Sequence, residues 1–284
     1  SSNLLLDAKL PNSSGYSTMV INAGETENKG IDLTINSVNI TNKDFTWNTA
    51  VTFSHNKNSV KKLTGESVQL YLADMGMKGA VASHQIGVGQ PLGQFYGYVS
   101  DGLYQVEDFN YDAATGKYTL KDGIPFRGEK SEVEPGMLKF KNLDGSEDNK
   151  ITEKDKTIIG NAFPKFYGGI NNTFTYKDFD LSIFLTYSFG ADVLNATKLA
   201  NTRTNMSNRN ALAAADWNNR WVTINKETGA LITDPTELAA VNRGKTVACF
   251  ADNGSSDDAV IHSWAIEDGS FLKLSNITLG YTFP

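Results

Sequence analysis

The chain has 284 residues, of which 40% are hydrophobic and 20% charged, and its formal net charge is −6. This acidic balance argues against a nucleic-acid surface, since phosphate binding relies on clustered Lys and Arg. The single cysteine, Cys249, excludes an internal disulfide framework, and no run of 18 apolar residues predicts a membrane-spanning helix, although a transmembrane β-barrel would not show one either.

The first strongly patterned segment predicts a β-hairpin. Ile31, Leu33 and Ile35 alternate with polar residues, and the chain then turns at residues 41–44. From Phe45 to residue 54, apolar and polar residues alternate again. Two alternating runs joined by a short polar turn are typical of an antiparallel hairpin.

Two segments carry aromatic residues that are candidate substrate contacts. Tyr96 and Tyr98 lie in residues 86–103, which mix β-formers with glycines. Residues 207–221 predict a helix, with Trp217 and Trp221 spaced i, i+4 on one face. Aromatic faces can stack on sugar rings, and the alternative for each of these residues is packing within a core.

Residues 144–155, DGSEDNKITEKD, have the oxygen spacing of a twelve-residue calcium loop. Asn149 replaces the turn glycine, and no amphipathic helices flank the segment, so a paired EF-hand is not expected. The alternative is a solvated acidic turn. The candidate calcium ligands, in the order of loop positions 1, 3, 5, 7, 9 and 12, are Asp144, Ser146, Asp148, the Lys150 carbonyl, Thr152 and Asp155.

The clearest alternation lies in residues 167–190. Every second residue from Phe179 to Phe189 is large and apolar, and the preceding strand turns into this one at residues 176–179. Eleven tilted residues give an apolar band about 25 Å high, which fits the lipid-facing side of an outer-membrane barrel. The inward face of a β-sandwich strand would show the same periodicity.

The two hairpins share a turn spelled Lys-Asp-Phe, while the connections 56–85, 100–165 and 191–265 are long. Short turns at one rim and long loops at the other are typical of outer-membrane barrels. The histidines His55, His84 and His262 lie far apart, and no nucleophile or phosphate-loop motif is present. The sequence therefore makes no positive case for an enzyme.

Four blocks of sequence resemble a known family. They are NAGETENKGIDLTI with the following KDFTWNTAVTFSHNKNSVKKL, then VGQPLGQFYGYVSDGLYQ, the run from LKFKNLDGSEDNKITEKD to YKDFDLSIF, and IEDGSFLKLSNITLGYTFP. In this order they closely resemble the C-terminal barrel region of SusC-like (RagA-like) TonB-dependent outer-membrane transporters. The resemblance extends from near the first residue to the last.

This resemblance implies an all-β fold: roughly eight to ten strands of a 22-stranded antiparallel transmembrane β-barrel with long extracellular loops. Residues 1–284 would be the C-terminal part of the barrel, without the N-terminal plug and the final strands. The implied function is import of oligosaccharides or peptides through the outer membrane of a Gram-negative cell. The implied partners are a SusD-like surface lipoprotein, TonB acting through the plug, the rest of the barrel and membrane lipid, and no residue would do covalent chemistry.

One alternative belongs to a different class of protein. It is a secreted or surface β-sandwich module that binds glycans and holds calcium in the 144–155 loop. The two hypotheses differ on Phe179, Leu181, Ile183 and Leu185, which lipid would surround in the barrel and a second sheet would cover in the sandwich.

Overall fold

The protein is described here by a computed structural model, which covers residues 2–9, 18–63, 68–73, 81–202, 218–249 and 260–283. Antiparallel β-strands dominate these residues. The strands are β1 (Ser2–Lys9), β2 (Thr18–Thr41), β3 (Phe45–Leu63), β4 (Val68–Ala73), β5 (Val81–Gly87), β6 (Gln94–Tyr98), β7 (Ser100–Leu103), β8 (Phe109–Asp112), β9 (Lys117–Leu120), β10 (Phe126–Arg127), β11 (Leu138–Phe140), β12 (Lys150–Ile151), β13 (Lys156–Asn161), β14 (Phe166–Tyr176), β15 (Phe179–Phe189), β16 (Asp192–Leu194), β17 (Ile266–Asp268) and β18 (Phe271–Tyr281).

In the part of the chain that the structure describes, two short α-helices accompany the strands, α1 (Ala196–Thr202) and α2 (Pro235–Asn242). Within the described ranges, no helix is long and apolar enough to cross a membrane. Single 3₁₀ turns lie at Val106–Asp108, Lys130–Glu132, Glu153–Asp155 and Ser263–Ala265.

Six strands form one wide antiparallel sheet in the order β1-β2-β3-β14-β15-β18. Strands β14 and β15 pair without a bulge from Phe166 opposite Phe189 to Tyr176 opposite Phe179. Lys177 in the connecting turn has φ 50°, the left-handed conformation that a two-residue hairpin turn requires. Both predicted hairpins, β2-β3 and β14-β15, are therefore confirmed.

One face of the wide sheet is apolar and uncovered. The alternating residues of β15 line up with those of β18, so that Leu181 lies opposite Leu279 and Ile183 opposite Ile277. Leu279 is 71% exposed, Ile277 56% and Phe179 50%. A sandwich would bury these side chains against a second sheet, so the β-sandwich hypothesis is wrong.

The opposite face of the same sheet is polar. The Ser182 hydroxyl donates to Asn171 Oδ1 at 3.1 Å, and Thr186 and Ser275 share a hydrogen bond of 2.7 Å. An apolar outer face and a polar inner face are the two environments of a strand in a transmembrane barrel. The expectation of an antiparallel partial barrel with lipid-facing strands is confirmed.

The long connections fold into small sheets and packed clusters at the ends of the strands opposite the short turns. Strand β13 leads into β14 there, and the Lys165 amide donates to the Phe189 carbonyl at 2.9 Å. The small sheets are β13-β6-β5-β4, β7-β11, β8-β9, β16-β17 and the parallel pair β10-β12. Buried apolar clusters form around Tyr98, Tyr104, Trp221 and Ile261.

The predicted helix 207–221 is described by the structure at residues 218–221 only. There the chain makes a turn and an isolated bridge between Arg220 and Val247 instead of a helix. The Trp221 amide donates to the Val247 carbonyl at 2.8 Å. The helix prediction is wrong for these residues, because the i, i+4 tryptophan spacing does not detect backbone pairing with a distant segment.

Candidate functional site

A cavity of about 420 Å³ lies among the small sheets. Its walls come from β6, β10, β11 and β12, the 3₁₀ turn at Lys130–Glu132 and Val260. Its lining includes Tyr98, Tyr104, Arg127, Glu132, Phe140 and Glu153. Cavities of this volume are typical of small-molecule sites.

The floor of the cavity is apolar and closely packed. Tyr98 is 3% exposed, and its ring lies 5.1 Å from that of Phe140, with Ile151 completing the cluster. Tyr104 forms a second cluster, and its hydroxyl donates to the Pro125 carbonyl at 2.6 Å. These contacts leave the floor little freedom to move, because each ring is held on several sides.

The Tyr98 hydroxyl lies next to charged groups at the cavity wall. It donates to Glu153 Oε1 at 3.2 Å, and Lys156 Nζ donates to Glu153 Oε2 at 2.7 Å. Burial, reinforced by the negative charge of Glu153, raises the pKa of Tyr98 to about 12. Tyr98 therefore remains a neutral donor at physiological pH. Partial burial acts to raise the pKa of Glu153, but the hydrogen bond from Lys156 outweighs this effect and keeps that pKa below its ordinary value.

Asp155 holds the acidic loop beside this cavity in shape. Its Oδ1 accepts from the amides of Leu143 at 2.8 Å and Asp144 at 3.2 Å, and its Oδ2 accepts from the Thr152 amide at 2.7 Å. The side chain is fully buried. Burial alone would raise the pKa of Asp155, but the hydrogen bonds from these amides lower it. The carboxylate thereby fixes the 3₁₀ turn that carries Glu153.

The other candidate calcium ligands make local turns. Asp144 Oδ1 accepts from the Ser146 amide at 2.8 Å, and Asp148 Oδ1 accepts from the Lys150 amide at 3.0 Å. Asn149 has φ 56°, so it adopts the left-handed conformation that the turn glycine of a calcium loop would supply. Among the described residues, no three acidic, His or Cys side chains are grouped as metal ligands. Calcium binding stays a prediction, and it would require Asp155 to exchange backbone donors for the ion.

The four aromatic candidates lie in different places. Tyr98 lines the cavity, whereas Tyr96, two residues earlier on β6, is half-buried and pairs with Ile158 of β13. Trp221 is 1% exposed and packs against Gly136, so it presents no surface to a ligand in this conformation. Trp217 lies outside the described residues. Substrate contact by these residues stays a prediction, with a structural basis at Tyr98.

Arg127 and Glu132 are charged residues at the cavity that the sequence did not indicate. Arg127 of β10 pairs with Ile151 of β12, which brings its guanidinium close enough to the Tyr98 hydroxyl to affect the tyrosine pKa. Glu132 lies at the end of the adjacent 3₁₀ turn. Neither residue belongs to a recognisable motif, because the parallel β10-β12 pairing that positions Arg127 spans two residues on each strand.

No family model matches the sequence. Several curated relatives match 99% of the chain. Among them are TonB-dependent receptor P3 of Formosa agariphila (34% identical, 24% of its length covered), TonB-dependent receptor P39 of the same organism (27% and 26%) and TonB-dependent receptor SusC of Bacteroides thetaiotaomicron (26% and 23%). The chain spans about a quarter of the length of these relatives.

Solved structures share the fold over the whole chain. The RagAB peptide transporter matches with a TM-score of 0.61 and 20% identity, covering 100% of this chain and 26% of that one. The RagAB peptide importer in its open-open state matches with a TM-score of 0.60 and 19% identity, covering 100% and 25%. Over its whole length the chain is therefore similar to one section of the SusC-like TonB-dependent receptors of the Gram-negative outer membrane, and it has the fold of part of an antiparallel transmembrane β-barrel.

Proposed function

We propose that the protein containing this chain is a TonB-dependent transporter that imports oligosaccharides or peptides through the outer membrane. The observation that carries the proposal is the wide sheet, whose uncovered face is apolar from Ile31 of β2 to Leu279 of β18. Its other face is polar, as the wall of an aqueous passage requires. The similarity to SusC and to the RagAB transporter supports transport as the function of such a wall.

This chain would supply two parts of the transporter. The wide sheet would be a section of the barrel wall, closed by strands from the rest of the same barrel, because unpaired sheet edges are costly in lipid. The small sheets and the cavity would form the loops at one mouth of the barrel. A SusD-like surface lipoprotein would bind at that mouth, and TonB would act through an N-terminal plug. The relation to SusC and RagAB supports both partners.

The proposed role does not include covalent chemistry. The curated relatives are named as receptors and the structural neighbours as transporters or importers, which supports transport over catalysis. Calcium binding by the 144–155 loop is a separate proposal, supported by the spacing of its oxygen-bearing side chains and by the left-handed Asn149.

The proposed function is tested on the native protein. We expect detergent extraction of the outer membrane to yield a band several times heavier than the 31.0 kDa of this chain, with peptides mapping on both sides of it and a lipoprotein that co-purifies. Deletion of the gene should abolish TonB-dependent uptake of one class of oligosaccharide or peptide. A soluble species of about 31 kDa, or uptake unchanged by deletion, would contradict the proposal.

A further inference from the structure

The cavity at Tyr98 is a built pocket. Its walls come from chain segments between Tyr98 and Val260, and Asp155 fixes one of them through three amide bonds. Its volume of about 420 Å³ is near the lower end of the range for ligand sites, about 300 to 1,000 Å³. That space suits one or two residues of a peptide or a single sugar ring.

The floor does not offer a ring face to a sugar. Stacking on a pyranose needs an open aromatic face, and Tyr98 and Tyr104 are each 3% exposed. Phe140 and the Lys156 ammonium cover Tyr98, and Lys139 lies over the ring of Tyr104. What remains is a narrow apolar surface of ring edges and aliphatic groups, which fits an aliphatic side chain.

Only some of the charged side chains around the cavity form salt bridges. Glu153 pairs with Lys156 at 2.7 Å, and Glu129 pairs with Lys150 at 3.5 Å. In the described part of the chain, no salt bridge involves Arg127 or Glu132, although the Arg127 guanidinium interacts with the Tyr98 hydroxyl and with the charge of Glu153. The cavity therefore presents to a ligand the remaining donors of one guanidinium and one carboxylate outside any salt bridge, beside an apolar floor. A neutral oligosaccharide matches neither charge, whereas a peptide has a carboxylate, amide donors and an amino group.

We propose that this cavity binds the C-terminal residue of a short peptide. The apolar side chain lies on the floor, the terminal carboxylate pairs with the Arg127 guanidinium, and Glu132 accepts from a peptide N–H or the terminal amine. Arginine suits this role, because its planar fork binds a carboxylate through two parallel hydrogen bonds. The proposal rests on the transport function above and narrows its substrate to peptides with an aliphatic C-terminus.

The test compares the tripeptide Ala-Ala-Leu with its C-terminal amide by calorimetry on the full-length transporter with its lipoprotein, using the lipoprotein alone as the blank. The wild type should bind the free acid roughly tenfold more tightly than the amide, which is typical of one charge-assisted contact. Arg127→Gln should remove this preference and leave the affinity for the amide unchanged. Arg243→Gln, a matched change at an exposed arginine that does not line the cavity, should keep the preference.

The same experiment separates failure of this inference from failure of the transport function. The inference is overturned if the ratio of the affinities for the free acid and for the amide is the same in Arg127→Gln and in the wild type. It is also overturned if the complex binds maltotriose but not the tripeptide. Arg127→Lys keeps the charge and checks that losses in Arg127→Gln do not come from misfolding, since it should retain part of the preference. Outer-membrane location and TonB-dependent uptake are measured on the same strains. If the wild-type protein is not in the outer membrane or supports no such uptake, the transport function itself is refuted.

Discussion

The lipid-facing band can be tested by a series of arginines along one strand. Phe179, Leu181 and Ile183 lie on the uncovered apolar face of β15 at increasing distance from the short turn. Ser182, between the last two, lies on the polar face and hydrogen-bonds to Asn171. A single substitution to arginine at one of these positions, made in the full-length receptor, places one charge at one depth in the membrane.

The expected cost follows from depth in the membrane. Ile183 is four residues from Phe179, which places it about 10 Å from the edge of a band about 25 Å high, close to the midplane. Ile183→Arg should therefore destabilise the folded receptor by about 2 to 4 kcal/mol. Phe179→Arg should cost about 0 to 1 kcal/mol, because the side chain can reach the head groups, and Leu181→Arg should fall between them. Ser182→Arg should also be mild, because it faces water.

The assay is denaturant unfolding of the receptor in lipid vesicles, with the amount of protein in the outer membrane as a second readout. A graded loss from Phe179 to Ile183, with Ser182→Arg near wild type, supports the membrane assignment of this face. Equal costs at all three apolar positions, or a Ser182→Arg variant as unstable as Ile183→Arg, would refute it. The matched control is Ser182→Gln, which enlarges the same side chain without adding a charge.

Three further predictions concern the loops. Burial, with a smaller effect of Lys198, lowers the pKa of His262 to about 4, below the ordinary 6.5. The unfolded state therefore binds a proton that the folded state excludes, so local stability should fall by about 3 kcal/mol as the pH drops from about 6.5 to 4. Amide exchange corrected for its intrinsic pH dependence should show this loss, and His262→Phe should flatten it; an equal pH dependence in the variant contradicts the reasoning. Asp155→Asn should lower the local stability of the loop by about 1 to 3 kcal/mol, because it replaces a charged acceptor of three amides with a side chain that also carries donors. Proteolysis of residues 142–156 should therefore be faster in the variant, and an unchanged cleavage rate contradicts the prediction. Calcium should slow the same cleavage in wild type but not in Asp148→Ala, and equal protection of both, or of neither, rejects the calcium site.

The hairpin β14-β15 could be predicted almost to the residue. The sequence predicts the turn at 176–179 and the apolar face from Phe179 to Phe189, and the structure has the strands at Phe166–Tyr176 and Phe179–Phe189. The reason is that one face of the hairpin contacts lipid and the other contacts water. A slip of one residue would move every apolar side chain to the wrong side, so the pattern specifies the register.

The long loops could not be predicted in the same way. Residues 100–165 were expected as one connection, yet this fully described stretch contains seven strands, β7 to β13, of two to six residues each. Such strands are too short for alternation to show. Trp221 illustrates the same limit, since its burial against Gly136 depends on contacts between segments that no local pattern connects.

The candidate site was predicted only in pieces. The sequence indicated Tyr98 as an aromatic contact and the loop containing Glu153 as a metal site, but not that the two side chains meet at 3.2 Å across 55 positions. Asp155 was predicted as a ligand because carboxylates that bind calcium and carboxylates that bind backbone amides have the same sequence signature. Arg127 and Glu132 carry no signal, because only tertiary contacts give them a role.

Departures from strict alternation in the wide sheet follow a physical rule. Asn172 interrupts the apolar face, but its Oδ1 accepts from Trp47 Nε1 at 3.0 Å and from Thr49 Oγ1 at 2.7 Å. Phe184 interrupts the polar face, and its ring covers Gly169, which has no side chain of its own. An acceptor in hydrocarbon needs donors, and a large ring needs space. Each of these two exceptions is therefore matched by a neighbour on an adjacent strand, which explains why the alternation can break there without leaving a polar group unpaired or a ring without space.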